Sequence, residues 1–192
     1  MSGPRVAAVA VGASAGALES LSVILPELPE DYPLPVLVVV HLPPDRKSLM
    51  ASLLRERCRI AVKEAEDKER IVGGMVYLAP PDYHLMVEED RRLSLSSEEP
   101  VRYSRPSIDV LFETAAEAYG PGLVGIVLSG ANSDGARGLR AICDAGGVGL
   151  VQSPDQALAS AMPHAALLAC PEAAAMSLGE IAKHLLGIVG PS

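Results

Sequence analysis

The sequence predicts an α/β fold: a doubly wound, mostly parallel sheet with one added antiparallel hairpin. Three observations carry this. Short, unbroken apolar runs alternate with amphipathic stretches of helical period, the pattern of βαβ units. Hydrophobic residues make up 49% of the 192, yet aromatics only 3%, so the core is built from Val, Leu, Ile and Ala. That composition suits strands covered on both faces, as in parallel sheets.

The elements follow in order. Val6–Val11 reads as a buried strand, Gly-Ala-Ser-Ala-Gly as a turn, and Ala17–Leu25 as a helix stopped by Pro26 and Pro29. Pro35–Val40 is a second buried strand, ending in His41 and the breaker Leu-Pro-Pro. Ser48–Arg57 is helical, Val62–Glu64 a short strand, and Met75–Ala79 a strand closed by two prolines. Tyr83–Val87 and Arg92–Ser96 flank Glu-Glu-Asp-Arg as a hairpin. Ser107–Tyr119 is an amphipathic helix with Ser107 as N-cap, and Leu123–Leu128 is a strand. Asp134–Ala145 is a helix stopped at Gly146. Val148–Gln152 is a strand, Ala157–Leu168 a helix interrupted by Pro163, and Leu178–Val189 the closing helix. No linker or repeat divides the chain, so residues 1–192 read as one domain.

Bulk properties narrow the function. A net charge of −8 argues against nucleic acid as a partner. No apolar run reaches the ~18 residues of a membrane span. The opening apolar run has one basic residue before it, Arg5, and is cut by Gly12, too little for a signal peptide; a cytoplasmic protein is expected. Cys58, Cys143 and Cys170 lie far apart and read as three separate thiols. No cluster of His, Cys, Asp and Glu has metal-ligand spacing, so neither metal nor cofactor is expected.

Ligands of open α/β sheets bind beyond the carboxyl ends of the strands. Three chemically capable residues fall there: Ser14 after the first strand, His41 after the second, and Asp134 after the Leu123–Leu128 strand. Gly12-Ala-Ser14-Ala-Gly16 matches G-x-S-x-G between strand and helix, the setting of a nucleophile elbow. A phosphate-binding turn and a plain helix cap are the alternatives. The second glycine of G-x-G-x-x-G would fall at Ser14, and no Gly-Lys follows. His41 is the base candidate, against a core histidine satisfied by backbone. Asp134 is the orienting acid, against a cap for the helix that follows it. Backbone amides of Ala15, Gly130 and Ala131 are candidates for an oxyanion hole. His84 and His184 read as structural.

Six stretches in order, VGASAG, VVHLPP, VKEAEDKERIVGGMVYLAPPDYH, RPSIDVLF, GIVLSGANSDGARGL and AMPHAAL, together resemble the catalytic domain of the chemotaxis receptor methylesterases (CheB-type). The resemblance runs from about Val6 to about Leu168. It implies a doubly wound α/β domain that hydrolyses glutamyl methyl esters on receptor helices and often deamidates glutamines. By motif position it assigns the nucleophile to Ser14, the base to His41 and the orienting acid to Asp134. Familiar members carry a phosphorylatable receiver domain ahead of this one; here the matching stretches start at the first strand. The lining departs from the family pattern. Ser14-Ala15-Gly16-Ala17 stands where many members have Ser-Thr-Gly-Gly. Gly130-Ala-Asn-Ser-Asp-Gly135 replaces Gly-Met-Gly-Asn-Asp-Gly, and Met162-Pro163-His164 replaces Met-Pro-Arg. These changes bear on substrate identity and rate more than on reaction type. A non-catalytic module binding a partner helix and a small-molecule esterase or amidase are the rival readings. The partner the resemblance implies is the cytoplasmic helices of a methyl-accepting receptor. Arg46, Lys47, Arg105 and Arg137 lie near the candidate site in sequence and are expected to form a basic rim that receives that acidic helix.

Overall fold

The computed structural model describes residues 5–42 and 49–190. Nine strands and six α-helices are present among them. The strands are β1 (Ala8–Ala13), β2 (Val36–Val40), β3 (Ala61–Glu64), β4 (Met75–Leu78), β5 (His84–Val87), β6 (Leu93–Ser96), β7 (Leu123–Val127), β8 (Val148–Gln152) and β9 (Ala174–Met176). The helices are α1 (Ala17–Ile24), α2 (Met50–Arg57), α3 (Ile108–Tyr119), α4 (Ala136–Asp144), α5 (Ala161–Ala169) and α6 (Leu178–Gly187). Seven strands form a parallel sheet in the order β3-β4-β2-β1-β7-β8-β9. β5 and β6 pair antiparallel as a separate hairpin. The fold class is as expected.

Every residue of β1, β2 and β7 is buried, which explains their unbroken apolar character. The pleat sends alternate residues to opposite faces. Val9 and Val11 join the core under α1, α2 and α6, whereas Ala8 and Ala10 join the core under α3, α4 and α5. The chain leaves β1 toward β2 and later returns to β1's other side as β7. That reversal opens a crevice at the carboxyl ends of these three strands.

Four local readings are corrected. β1 continues through Gly12 and Ala13, so the turn begins at Ser14. Pro163 interrupts nothing: it lies in the first turn of α5, where an amide has no intrahelical acceptor. β9 was not foreseen; Ala-Ala-Met has no β-branched or aromatic residue to announce a strand. The three cysteines are not separate thiols. Cys143 on α4 and Cys170 at the end of α5 are joined as a disulfide, and Cys58 is free.

Two glycines let the helices approach the site closely. A Cβ on Gly12 would lie 2.3 Å from Ile108 Cγ2, so β1 needs glycine where the start of α3 crosses it. A Cβ on Gly138 would lie 2.5 Å from Phe112 Cβ and 3.1 Å from Asp109 Cα, which sets the close packing of α4 on α3. Gly138→Ala should therefore destabilise by about 1–3 kcal/mol through overpacking. Gly179→Ala, where nothing lies within 4 Å, should be neutral or slightly stabilising. Thermal melts of the two variants check this; equal melting temperatures would contradict it.

Candidate active site

Register brings the first two candidates together. Ala13 pairs with Val40 across β1 and β2, and the His41 amide donates to the Ala13 carbonyl at 3.1 Å. Ser14 and His41 thus leave neighbouring strands side by side. The Ser14 amide donates to the Ser129 carbonyl at 2.9 Å, tying the serine to the end of β7 as well. Gly16, with φ 80°, lets the chain turn directly into α1.

Asp134 reaches the pair from the loop after β7. It is 1% exposed, and its Oδ2 lies 2.7 Å from His41 Nε2. Oδ2 also accepts the Ile108 amide at 2.7 Å. Oδ1 accepts the Ser107 hydroxyl, the Asp109 amide and the Gly135 amide, each at 3.0 Å. Asp134 is a helix cap, but not of the helix that follows it in sequence. It caps the start of α3, where free amides and the helix dipole favour a negative charge. Ser107 stands at the N-cap position of α3 without capping it; its hydroxyl goes to Asp134 instead.

Asp109 returns the arrangement. Its Oδ1 accepts the amides of Gly135 at 3.0 Å and Gly138 at 2.7 Å, at the start of α4. Asp134, which precedes α4, therefore caps α3, and Asp109, within α3, caps α4. Sequence reading missed Asp109. An acidic residue in the first turn of a helix is common on a surface, and only its burial marks it. Its Oδ2 has no partner among the described residues.

Electrostatics separates the two acids. Burial alone would raise the Asp134 carboxyl. The His41 ring and the amides of Asp109 and Ile108 outweigh burial and hold it below the ordinary carboxylate value. For Asp109 burial wins and pushes the carboxyl up.

The imidazole is oriented by two residues. Asn132 Oδ1 accepts the Asp134 amide at 3.0 Å, which turns its Nδ2 toward His41 Nδ1 at 3.4 Å. Nδ1 is then the acceptor, and Nε2–H donates to Asp134. The nitrogen available for proton transfer is Nδ1. Among the described residues the Ser14 hydroxyl has no hydrogen bond to His41; Asn132 faces Nδ1 instead. His84, buried and read as structural, accepts the Ser107 amide at Nδ1 (3.1 Å) and lies 3.0 Å from the Glu99 carbonyl through Nε2. It ties the hairpin to the start of α3.

The oxyanion candidates divide. Gly130 donates to the Ala159 carbonyl at 3.0 Å, so its amide is spent. A Cβ there would lie 2.5 Å from Met162 Cε, so the methionine tip packs directly against Gly130. The exposed amides of Ala15 and Ala131 have no partner among the described residues.

The basic rim is also revised. Arg105 is a structural clamp: it donates to Asp82 at 3.0 and 2.8 Å and to the carbonyls of Ser97 and Glu98. Arg137 pairs with Glu113 at 2.5 Å. Arg46 and Lys47 lie outside the described residues. A cleft of about 300 Å³ opens beside His41, walled by Leu42, Asp82, Pro100, Tyr103 and Arg105.

Among the described residues one set of potential metal ligands converges, Cys143, Cys170 and Glu172, beyond the far end of α4. The two sulfurs are bonded to each other and Glu172 pairs with Arg140 at 2.8 Å, so the set is not free to hold an ion.

The model of the CheB methylesterase family matches residues 9–185. The chain belongs to that family. A protein of Leptospira interrogans, named provisionally as a protein-glutamate methylesterase/protein-glutamine glutaminase, is 46% identical over 176 residues, 92% of this chain and 91% of its own length. The protein-glutamate methylesterase/protein-glutamine glutaminase of Archaeoglobus fulgidus is 40% identical over 162 residues, and the match covers 83% of this chain but 46% of that protein. The crystal structure of the Thermotoga maritima CheB methylesterase catalytic domain superposes with a TM-score of 0.90 at 28% identity, covering 95% of this chain and 98% of that one. Membership makes the chain a hydrolase of the methylesterase class, with the α/β architecture of the CheB catalytic domain. No helix among the described residues is long and apolar enough to cross a membrane.

The depressed Asp134 carboxyl has a consequence for stability. It binds a proton more weakly folded than unfolded. Its stabilisation is complete above the ordinary carboxylate value of ~3.9 and is lost as pH falls through the lower folded value. Asp134→Asn should therefore lose stability less steeply below about pH 4 than the wild type. It should also be weaker at neutral pH by about 1–3 kcal/mol, because buried amides lose their acceptor. Denaturant titrations across pH check both; identical acid limbs would contradict the assignment.

Proposed function

We propose that this chain acts as a single cytoplasmic catalytic domain that removes methyl groups from glutamate γ-methyl esters on the cytoplasmic helices of a methyl-accepting receptor. The observation that carries the reading is the 2.7 Å contact of His41 with buried Asp134, beside Ser14 on the adjoining strand end. The names of the Leptospira and Archaeoglobus relatives supply the substrate chemistry.

Ser14 Oγ attacks the ester carbonyl and passes its proton to His41 Nδ1. Asp134 accepts from Nε2–H throughout, which fixes the tautomer and stabilises the imidazolium. The Asn132 amide, at the long end of hydrogen-bond distance from Nδ1, yields that position to the serine. The amides of Ala15 and Ala131 receive the developing oxyanion. His41 then gives its proton to the departing methoxide, which leaves as methanol. A water, deprotonated by His41, cleaves the acyl-enzyme to free glutamate and serine. The same steps on a glutamine side chain would release ammonia, the glutaminase activity in the relatives' names. No step requires a metal or cofactor.

Ser14→Ala and His41→Ala should each remove nearly all methanol release from a methylated receptor while the fold is kept. Asp134→Asn should lower kcat by roughly 10³–10⁴. Labelling by a serine-directed phosphonate should disappear in Ser14→Ala. An unlabelled wild type would favour a non-catalytic binding module, and hydrolysis of simple esters without receptor demethylation a small-molecule esterase.

A further inference from the structure

The segment between the hairpin and α3 ends in a tight two-residue turn beside the candidate site. Val101 and Ser104 exchange both backbone hydrogen bonds, at 3.0 and 2.9 Å, so Arg102 and Tyr103 form the tip. Both tip residues have left-handed backbone, with φ 49° and 67°. Two-residue turns of this kind favour Asn-Gly, because bulky side chains are strained there. Arginine and tyrosine hold the tip instead, and strain of this sort clusters at functional sites.

Both side chains are exposed rather than packed into the core. Tyr103 is fully exposed at the mouth of the cleft beside His41. Arg102 donates to the Ser133 hydroxyl, one residue from Asp134, at 2.9 Å, and has no carboxylate partner among the described residues. Across the site, Leu158 is 77% exposed and packs over Gly16 beside Ser14. Tyr103 lines the cleft with His41 at the end of β2, and Leu158 lies over Gly16 at the end of β1, so the two flank Ser14 and His41.

We propose that the Arg102–Tyr103 tip is the specificity-determining contact for an acidic amphipathic helix carrying the methyl ester, with Leu158 as the apolar rest on the opposite side. This rests on the methylesterase reading above. Arg102 pairs with a glutamate one helical turn from the esterified residue, and Tyr103 packs on the helix's apolar stripe. Charge points to the occupant: on a chain of net charge −8, Arg102 at the mouth has no carboxylate partner among the described residues and attracts rather than repels an acidic segment.

The test uses two synthetic amphipathic helices with a central glutamate γ-methyl ester. One carries glutamates a turn away on either side; the other carries glutamines there. The wild type should prefer the acidic helix by about tenfold in kcat/KM, with the preference fading as salt is added. Arg102→Gln should remove the preference. The double variant Arg102→Asn, Tyr103→Gly installs the favoured turn sequence. It should melt no lower than the wild type, yet its kcat/KM on the acidic helix should fall about tenfold relative to a small neutral ester. Equal cleavage of the two helices by the wild type, or an acidic preference that survives both variants, overturns the docking role alone. A wild type that hydrolyses the small ester but neither helix overturns the methylesterase reading and the docking role with it.

Discussion

Two buried carboxylates hold the site together by crossing over. Asp134 precedes α4 and caps α3, while Asp109 lies in α3 and caps α4. A buried carboxylate is costly unless amides or cations surround it, and the open ends of two helices supply those amides. Neither helix can shift without stripping acceptors from the other's first turn. The loop between β7 and α4, which carries Asn132, Ser133 and Asp134, is thereby fixed to the helix packed beneath it. His41 receives a carboxylate already held by four other donors, Ser107, Ile108, Asp109 and Gly135.

This crossing explains why the surroundings are small. Ile108, first residue of α3, wedges between Gly12 on β1 and Gly135 at the start of α4. Gly12 belongs to the serine motif, yet its physical role here is to admit Ile108 rather than to bend the chain. The bend falls to Gly16. On the other side, Gly130 gives its amide to Ala159 and its carbonyl to the Met162 amide, so the loop after β7 is stitched to the start of α5. Rigidity arrives from three helices at once, and the serine, histidine and aspartate inherit it.

The sheet and its helices were legible because apolar runs and breakers are local signals. So was the placement of Ser14, His41 and Asp134 on one edge, since topology alone puts strand ends together. Partnership across the fold was not legible. That Asp134 would cap α3 depends on contacts 25 to 27 residues away. Arg105 reads as a free cation in sequence, and only the fold shows it spent on Asp82, Ser97 and Glu98. The union of Cys143 and Cys170, 27 residues apart, belongs to the same class. The Arg102–Tyr103 tip was silent for another reason: its sequence contradicts the turn it adopts.

The direction of the imidazole has a consequence for reach. Nε2 sits at the far end of the ring, whereas Nδ1 is attached to the carbon that joins the ring to the main chain. A histidine that turns Nε2 toward its carboxylate offers its partner only the near nitrogen, close to the strand. In the proposed mechanism such a base serves a nucleophile on the very next strand, ~4.8 Å away. Ser14 and His41 leave adjacent strands in register, which is the spacing the near nitrogen can use. In the proposed roles the first two groups come from the neighbouring strands β1 and β2, and the acid, facing the far nitrogen, comes from the loop after β7 on the other side of β1.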